Sequence, residues 1–253
     1  MTLEGKTIFI TGGSGLIGAA AVHRLLELKA TVWNLSTGDP ATNEEHPRLK
    51  QHPFDVTDTS EHDRFFETLL SDGIVIDAWI NCAFPISEDW GTPFGKVPES
   101  SLQTNITGQM NSVFLLSQKV VAHMEALRTK GSIVNIASVH GMVAPHFPVY
   151  DGIEPPMTSP PAYAMIKGGI IQFTRYLAAL LGPKGIRVNT VSPGGVERTS
   201  HDPNFVKNYS KQTPLGRMAQ PEDVAGPIAF LCSDEAAYIT GHNLVVDGGH
   251  SIW

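Results

Sequence analysis

Thr7-Ile-Phe-Ile-Thr-Gly-Gly-Ser-Gly-Leu-Ile-Gly18 is the stretch on which the reading of this chain turns. Residues 7–10 are apolar or β-branched without polar alternation, which predicts a strand buried on both faces. Glycines follow at 12, 15 and 18, and residues 19–28 then carry apolar side chains at helical spacing. A strand, a glycine-rich turn and a helix in this order gather free backbone N–H groups at the positive end of a helix dipole. Gly12 permits the tight turn, Gly15 lets the backbone approach a pyrophosphate, and Gly18 allows close helix–strand packing. A glycine triplet alone is a weak signal. Placed between a first strand and a first helix it predicts dinucleotide binding, with Ser14, Leu16 and Ile17 on the contact surface.

The same alternation continues outward. Residues 30–35, 75–81, 131–137, 187–192 and 243–246 are further short apolar runs, with helical patterns between them. Continuous apolar strands separated by helices predict an α/β fold: a doubly wound parallel sheet flanked by helices on both faces. At 253 residues, with 42% hydrophobic and 17% charged residues, the chain reads as one soluble globular domain, 1–253. Three segments read as loops after strands: 84–98, 143–161 with six prolines, and a polar, mobile 197–220. All three should gather at the carboxyl edge of the sheet, where such folds bind ligands.

Charge and composition exclude other classes. A net charge of −7 with no basic stripe argues against nucleic acid. Two cysteines, Cys82 and Cys232, have no metal-type or CxxC spacing, which suits a reducing compartment. The first residues run straight into the apolar strand without a leader pattern, and no apolar run approaches the roughly 18 residues of a membrane span. A cytoplasmic protein is expected. Ten histidines occur without an HxH or HExxH pair, so no metal site is expected.

At the end of the second apolar run, where an Asp or Glu would favour NAD, stands Ser36, followed by Thr37 and Gly38. Its hydroxyl could donate to a 2′-phosphate with no carboxylate to repel it, a slight lean to NADP. It could equally start a turn, and Asp39 could swing toward the ribose. Further on, Tyr163-Ala-Met-Ile-Lys167 places a phenol and an ammonium on one helix face. A tyrosine with a reference pKa of about 10 is a poor base at neutral pH, and a nearby cation stabilises its phenolate.

Taken together, the residues resemble the short-chain dehydrogenase/reductase family over essentially the whole chain. Ile133-Val-Asn-Ile-Ala-Ser138 is similar to the strand ending in the family's substrate-polarising serine. Asn105 matches its helix asparagine, Asp55-Val56 its adenine-contacting segment, and Asn81-Cys82-Ala83 its Asn-Asn-Ala-Gly motif. Ser192-Pro193-Gly194-Gly195-Val196 resembles the loop beside the nicotinamide. The resemblance implies a Rossmann-type fold and an NAD- or NADP-dependent enzyme acting on a small-molecule substrate. By the same resemblance Tyr163 transfers the proton, Lys167 lowers the tyrosine pKa and holds the ribose hydroxyls, Ser138 polarises the substrate oxygen, and Asn105 anchors a water in a relay through Lys167. A homotetramer, built on the helices after Glu99 and Tyr163, is also implied, with Trp253 packed at a subunit interface.

Three departures carry information. Leu16 replaces the middle glycine of the compact branch, so the turn reads like that of the extended, nucleotide-sugar branch. Ser138 and Tyr163 are 25 positions apart, much farther than in the compact branch. Tyr150 falls at the shorter spacing, but Glu154 stands where its lysine should be, so Tyr163 is chosen. Cys82 and Phe84 alter the third motif: Cys82 reads as a small buried residue in preference to a redox thiol, and Phe84 reshapes the pocket wall.

The insert 140–161 is expected to form a stiff, proline-rich wall and to determine substrate choice, with Tyr150 on it. Its sequence resembles a subgroup associated with flagellin-glycan and nonulosonic-acid pathways, implying a sugar-like or sugar-phosphate substrate. His140 and His146 could bind substrate hydroxyls or serve surface roles. Arg198 could meet a phosphate or carboxylate, or pair with Glu197. A 3-oxoacyl-thioester reductase is the enzyme alternative, and a non-catalytic NAD(P)-sensing protein is the alternative from another class.

Overall fold

The computed structural model describes residues 1–38, 46–153 and 158–252. Asp39, Glu154 and Trp253, each given a place in the sequence reading, lie outside the described residues. The strands β1 (Thr7–Thr11), β2 (Thr31–Ser36), β3 (Leu49–Pro53), β4 (Ala78–Asn81), β5 (Gly131–Ile136), β6 (Ile186–Pro193) and β7 (Asn243–Val246) form one sheet in the order β3-β2-β1-β4-β5-β6-β7. All of its pairings are parallel. The expected doubly wound fold is therefore the observed one. Chain order reverses between β1 and β4, and a crevice opens there at the carboxyl ends of the strands.

The two-residue period of β1 explains its central place. Ile8 and Ile10 point to one face and Phe9 to the other, all three fully buried. On the first face, α1 (Leu16–Glu27) and α7 (Pro221–Cys232) bring Val22, Leu25, Val224 and Ile228 against the sheet. On the second, α2 (Thr59–Ser71), α4 (Ser112–Ala126) and α5 (Pro161–Leu181) cover Phe9, Trp79 and Val188 with Phe65, Phe66, Leu116 and Leu177. The short α3 (Glu99–Asn105) runs through a π-helical turn, Ile106–Asn111, into α4. Among the described residues no helix is long and apolar enough to cross a membrane.

Two elements depart from the sequence reading. β3 was not anticipated: Leu49-Lys-Gln-His-Pro has no apolar run, because it is an edge strand with Lys50 and Gln51 exposed. The segment 197–220, expected as a loop, contains α6 (Pro203–Lys211). Asp202 caps this helix, accepting the Asn204 N–H at 2.7 Å, and Pro203 takes the first position. Its inner face, Phe205 and Tyr209, packs with Val149 and Ile153 of the insert and with Met218. Insert and helix thus share a small apolar cluster of their own.

Candidate active site

At the carboxyl edge of the sheet lies a cleft of about 890 Å³, within the range of small-molecule and cofactor sites. One end is the glycine turn. Gly12 has φ +68°, and a Cβ there would stand 2.6 Å from Ala83 Cα. A Cβ on Gly18 would overlap the Gly12 carbonyl oxygen, and one on Gly13 would overlap the Asn34 amide. Asn34 in turn donates to Ser14 Oγ at 3.2 Å and to Gln51 Oε1 at 2.6 Å, bracing the turn from β2 and β3. Thr11 Oγ1 accepts the N–H groups of Cys82 and Ala83 at 3.1 and 3.2 Å, tying the turn to the end of β4. No side chain caps the N-terminus of α1, so its first-turn N–H groups are left for a ligand. These features fit the pyrophosphate of a dinucleotide.

Ser14, Gly15, Leu16, Ile17, Ser36, Asp55, Val56, Cys82, Ala83, Pro193, Gly194 and Val196 all line the cleft. Asn81 ends β4. It is buried off the cleft, accepting from Trp79 Nε1 at 2.8 Å and donating to Asn135 Oδ1 at 2.7 Å. Asn135 donates onward to Thr174. The asparagine at this position closes a polar chain inside the core, where an unpaired amide would be costly. Ser36 Oγ accepts the Gly38 N–H at 3.3 Å, so the turn reading of Ser36 has a bond behind it.

At the other end of the cleft stand Ser138, Tyr163 and Lys167. Ser138 ends β5 and caps the short turn Val139–Gly141. Tyr163 and Lys167 lie one turn apart in α5, which begins at Pro161. Burial pushes the Tyr163 phenol above its ordinary value, while the Ser138 hydroxyl and the charge of Arg198 pull it down. Lys167 is held against main chain. Its ammonium donates to the Ile136 carbonyl at 3.0 Å and lies 5.6 Å from the Tyr163 ring centroid. Burial lowers Lys167 itself to about 8, against an opposing pull from Cys82. The Cys82 thiol is pushed up to about 12 by burial, so it stays protonated, in keeping with a packing residue.

Asn105 is buried at the end of α3. It does not line the cleft, and its side chain is spent elsewhere: Nδ2 donates to Ser87 Oγ and to the Ser101 carbonyl, both at 2.8 Å, and Oδ1 accepts the Ser87 N–H at 3.0 Å. It ties the 84–98 segment to α3, and its amide makes no contact with Lys167.

The substrate side is aromatic. Phe84, Trp90 and His140 each meet the Tyr163 ring edge-on, at 5.7, 6.0 and 6.1 Å between centroids. Burial and the neighbouring His250 lower His140 to about 4, leaving it neutral near pH 7. Tyr150 lines the cleft and stacks on Phe205 at 5.5 Å. Arg198 also lines it. Among the described residues Arg198 has no carboxylate partner, because Glu197 accepts instead from Gln220 at 3.1 Å. His146 is exposed outside the cleft lining, and the buried side of its turn is taken by Val149.

Trp90, Phe205, Tyr209 and Met218 also line the cleft and were not foreseen. Phe205 and Tyr209, four residues apart after Asp202-Pro203, carried a helical signal; Trp90 carried none. Among the described residues no group of three or more His, Cys, Asp and Glu is placed to hold a metal ion.

Residues 14–251 match the family model described as Enoyl-(Acyl carrier protein) reductase. An uncharacterized oxidoreductase of Schizosaccharomyces pombe is 32% identical, over 98% of this chain and 92% of its own length. The post-translational flagellin modification protein A of Campylobacter coli is 29% identical over 98% of both chains. A 3-oxoacyl-[acyl-carrier-protein] reductase of Vibrio cholerae is 32% identical, again over 98% of both. Among solved structures, a short-chain dehydrogenase from Leptospira borgpetersenii with bound NAD+ superposes with a TM-score of 0.91 at 36% identity, covering 98% of this chain and 93% of that one. The ligand-free aldohexose dehydrogenase of Thermoplasma acidophilum gives 0.84 at 26%, covering 99% and 96%. With fold, cleft and relatives in agreement, the chain is a single-domain member of the short-chain dehydrogenase/reductase family, an NAD(P)-dependent oxidoreductase.

Proposed function

We propose that the enzyme interconverts a secondary alcohol and a ketone on a sugar-like or sugar-phosphate substrate, with Tyr163 moving the proton. The observation that carries this reading is the Tyr163 phenol itself. It shares with Ser138, Lys167 and Arg198 a cleft continuous with the glycine turn. The nicotinamide, when bound, supplies or accepts the hydride. Ser138 holds the substrate oxygen, and Tyr163 gives its proton to that oxygen in reduction or takes it in oxidation. Gly12, Gly15 and the first turn of α1 hold the pyrophosphate, and Lys167 holds the ribose hydroxyls. The flat faces of Phe84 and Trp90 suit a sugar ring, and Arg198 suits a phosphate or carboxylate on it.

The cofactor is NAD or NADP, with the slight lean to NADP resting on Ser36, since no carboxylate ends β2. The relatives that are 3-oxoacyl reductases favour a second reading, reduction of an acyl thioester. We also place the homotetramer on α4 and α5, where Phe114, Met165 and Tyr176 are exposed apolar side chains. The test is NAD(P)H-linked absorbance over a panel of sugars, sugar acids, sugar phosphates and a 3-oxoacyl thioester, with both cofactors. Turnover of an anionic sugar in preference to the thioester supports the reading; the reverse replaces it with the second.

A further inference from the structure

Tyr209 has no part in the chemistry above, yet it reaches the loop beside the nicotinamide end of the cleft. It is 4% exposed on α6, and its hydroxyl oxygen accepts the Gly195 N–H at 2.6 Å. The ring lies against the loop backbone. A Cβ at Gly195 would stand 2.8 Å from its Cζ, and one at Gly194 would stand 3.2 Å from its hydroxyl. The ring's close approach thus leaves no room for a side chain at Gly195, whereas Gly194 is crowded first by Asp247. The neighbouring backbone groups are satisfied by main chain: Gly194 N–H donates to Val246 at 3.0 Å, and Ala219 N–H donates to Gly195 at 2.9 Å. The Gly195 N–H alone depends on a side chain from another element.

The tyrosine is itself held on both sides. His250 stacks on it at 4.3 Å between centroids and 4° between planes. Phe205 adjoins it at 5.9 Å and stacks in turn on Tyr150 of the insert at 5.5 Å. A line of four rings therefore runs from the carboxyl-terminal tail, through α6, to the substrate wall.

We propose that Tyr209 is a positioning residue: through the Gly195 N–H it fixes the 193–196 backbone for the cofactor, and through Phe205 and Tyr150 it links that loop to the substrate wall. The proposal rests on the dinucleotide reading of the cleft. Its test is fluorescence titration of NADH and NADPH into the wild type, Tyr209→Phe, Gly195→Ala and the double variant, with melting curves alongside. Tyr209→Phe keeps the ring stack and loses the bond to Gly195. Its Kd for the preferred cofactor should rise about tenfold as the loop loses its anchor, while its melting temperature falls by only a few degrees, the cost of one stranded buried N–H. Gly195→Ala displaces the ring from the other side and carries the same test should Tyr209→Phe fold poorly. The double variant should be no weaker than the weaker single, because both break one contact. Equal cofactor affinity in Tyr209→Phe and wild type, or additive losses in the double variant, overturns the proposal alone; a wild type that binds neither cofactor overturns the dinucleotide reading with it.

Discussion

The glycine turn at one end of the cleft is made of main chain, whereas the wall at the other end is made of side chains from four separate segments. At the turn, Gly12, Gly13 and Gly18 leave room for backbone to meet backbone or an amide, and the ligand-facing groups are peptide N–H groups. At the wall, Phe84 and Trp90, His140 and Tyr150, Arg198 and Phe205, and the α5 tyrosine converge from distant parts of the chain. The first construction tolerates almost no change and suits a ligand common to many relatives. The second can be rebuilt one side chain at a time while the fold stands, which suits a substrate particular to this enzyme.

The comparison can be broken most sharply at Lys167, which belongs to both ends. Lys167→Ala should lower turnover about a thousandfold and also weaken cofactor binding, measured by steady-state kinetics and by titration. An effect on one quantity only would separate the ends. Gly18→Ala should act next most strongly. Its Cβ overlaps the Gly12 carbonyl, costing about 2 kcal/mol as a lower melting temperature together with weaker binding of both cofactors. The ranking of substrates that are still turned over should not change.

Arg198→Gln should spare the cofactor end. KM for an anionic substrate is expected to rise about tenfold, with little change for a neutral analogue. The same variant should move the rising limb of the pH profile of alcohol oxidation to higher pH. Oxidation needs the phenolate, burial already holds Tyr163 up, and removing the Arg198 charge removes a group that pulls it down. The smallest effect is in cofactor affinity against pH. Lys167 is lowered to about 8, so it is charged below that value and neutral above it. Affinity should weaken severalfold as pH rises through 8, and titrations at pH 6.5 and 9 would show it.

Legibility in the sequence follows the same division. The strands β1, β2, β4, β5 and β6 and the turn were readable because burial on both faces leaves an apolar run and close backbone contact demands glycine; the edge strand β7 was readable because it keeps the apolar run Leu244-Val-Val. β3 was not, since an exposed edge strand of Lys50, Gln51 and His52 has nothing apolar to show. The hydrogen-bond partners of Asn81 and Asn105 were not legible: Trp79 with Asn135 and Ser87 with Ser101 are ordinary residues that only folding brings together. His146 was left open between pocket and surface because the side of its turn that is buried, that of Val149, emerges only in the fold. α6 was legible in principle from Asp202, Pro203 and the Phe205–Tyr209 spacing. The contact from Tyr209 to Gly195 joins separate elements and left no local pattern.

The central claim is that Tyr163, and not Tyr150, carries the proton. Tyr163 sits one helical turn before Lys167 and beside Ser138, while Tyr150 stacks in the substrate wall. Turnover of Tyr163→Phe and Tyr150→Phe with a substrate found in the panel, each measured beside its cofactor Kd, separates the two. Tyr163→Phe should lose turnover by about a thousandfold with cofactor affinity nearly intact, and Tyr150→Phe should change KM severalfold and leave kcat near that of the wild type. Near-normal turnover in Tyr163→Phe, or collapse in Tyr150→Phe, would contradict the account.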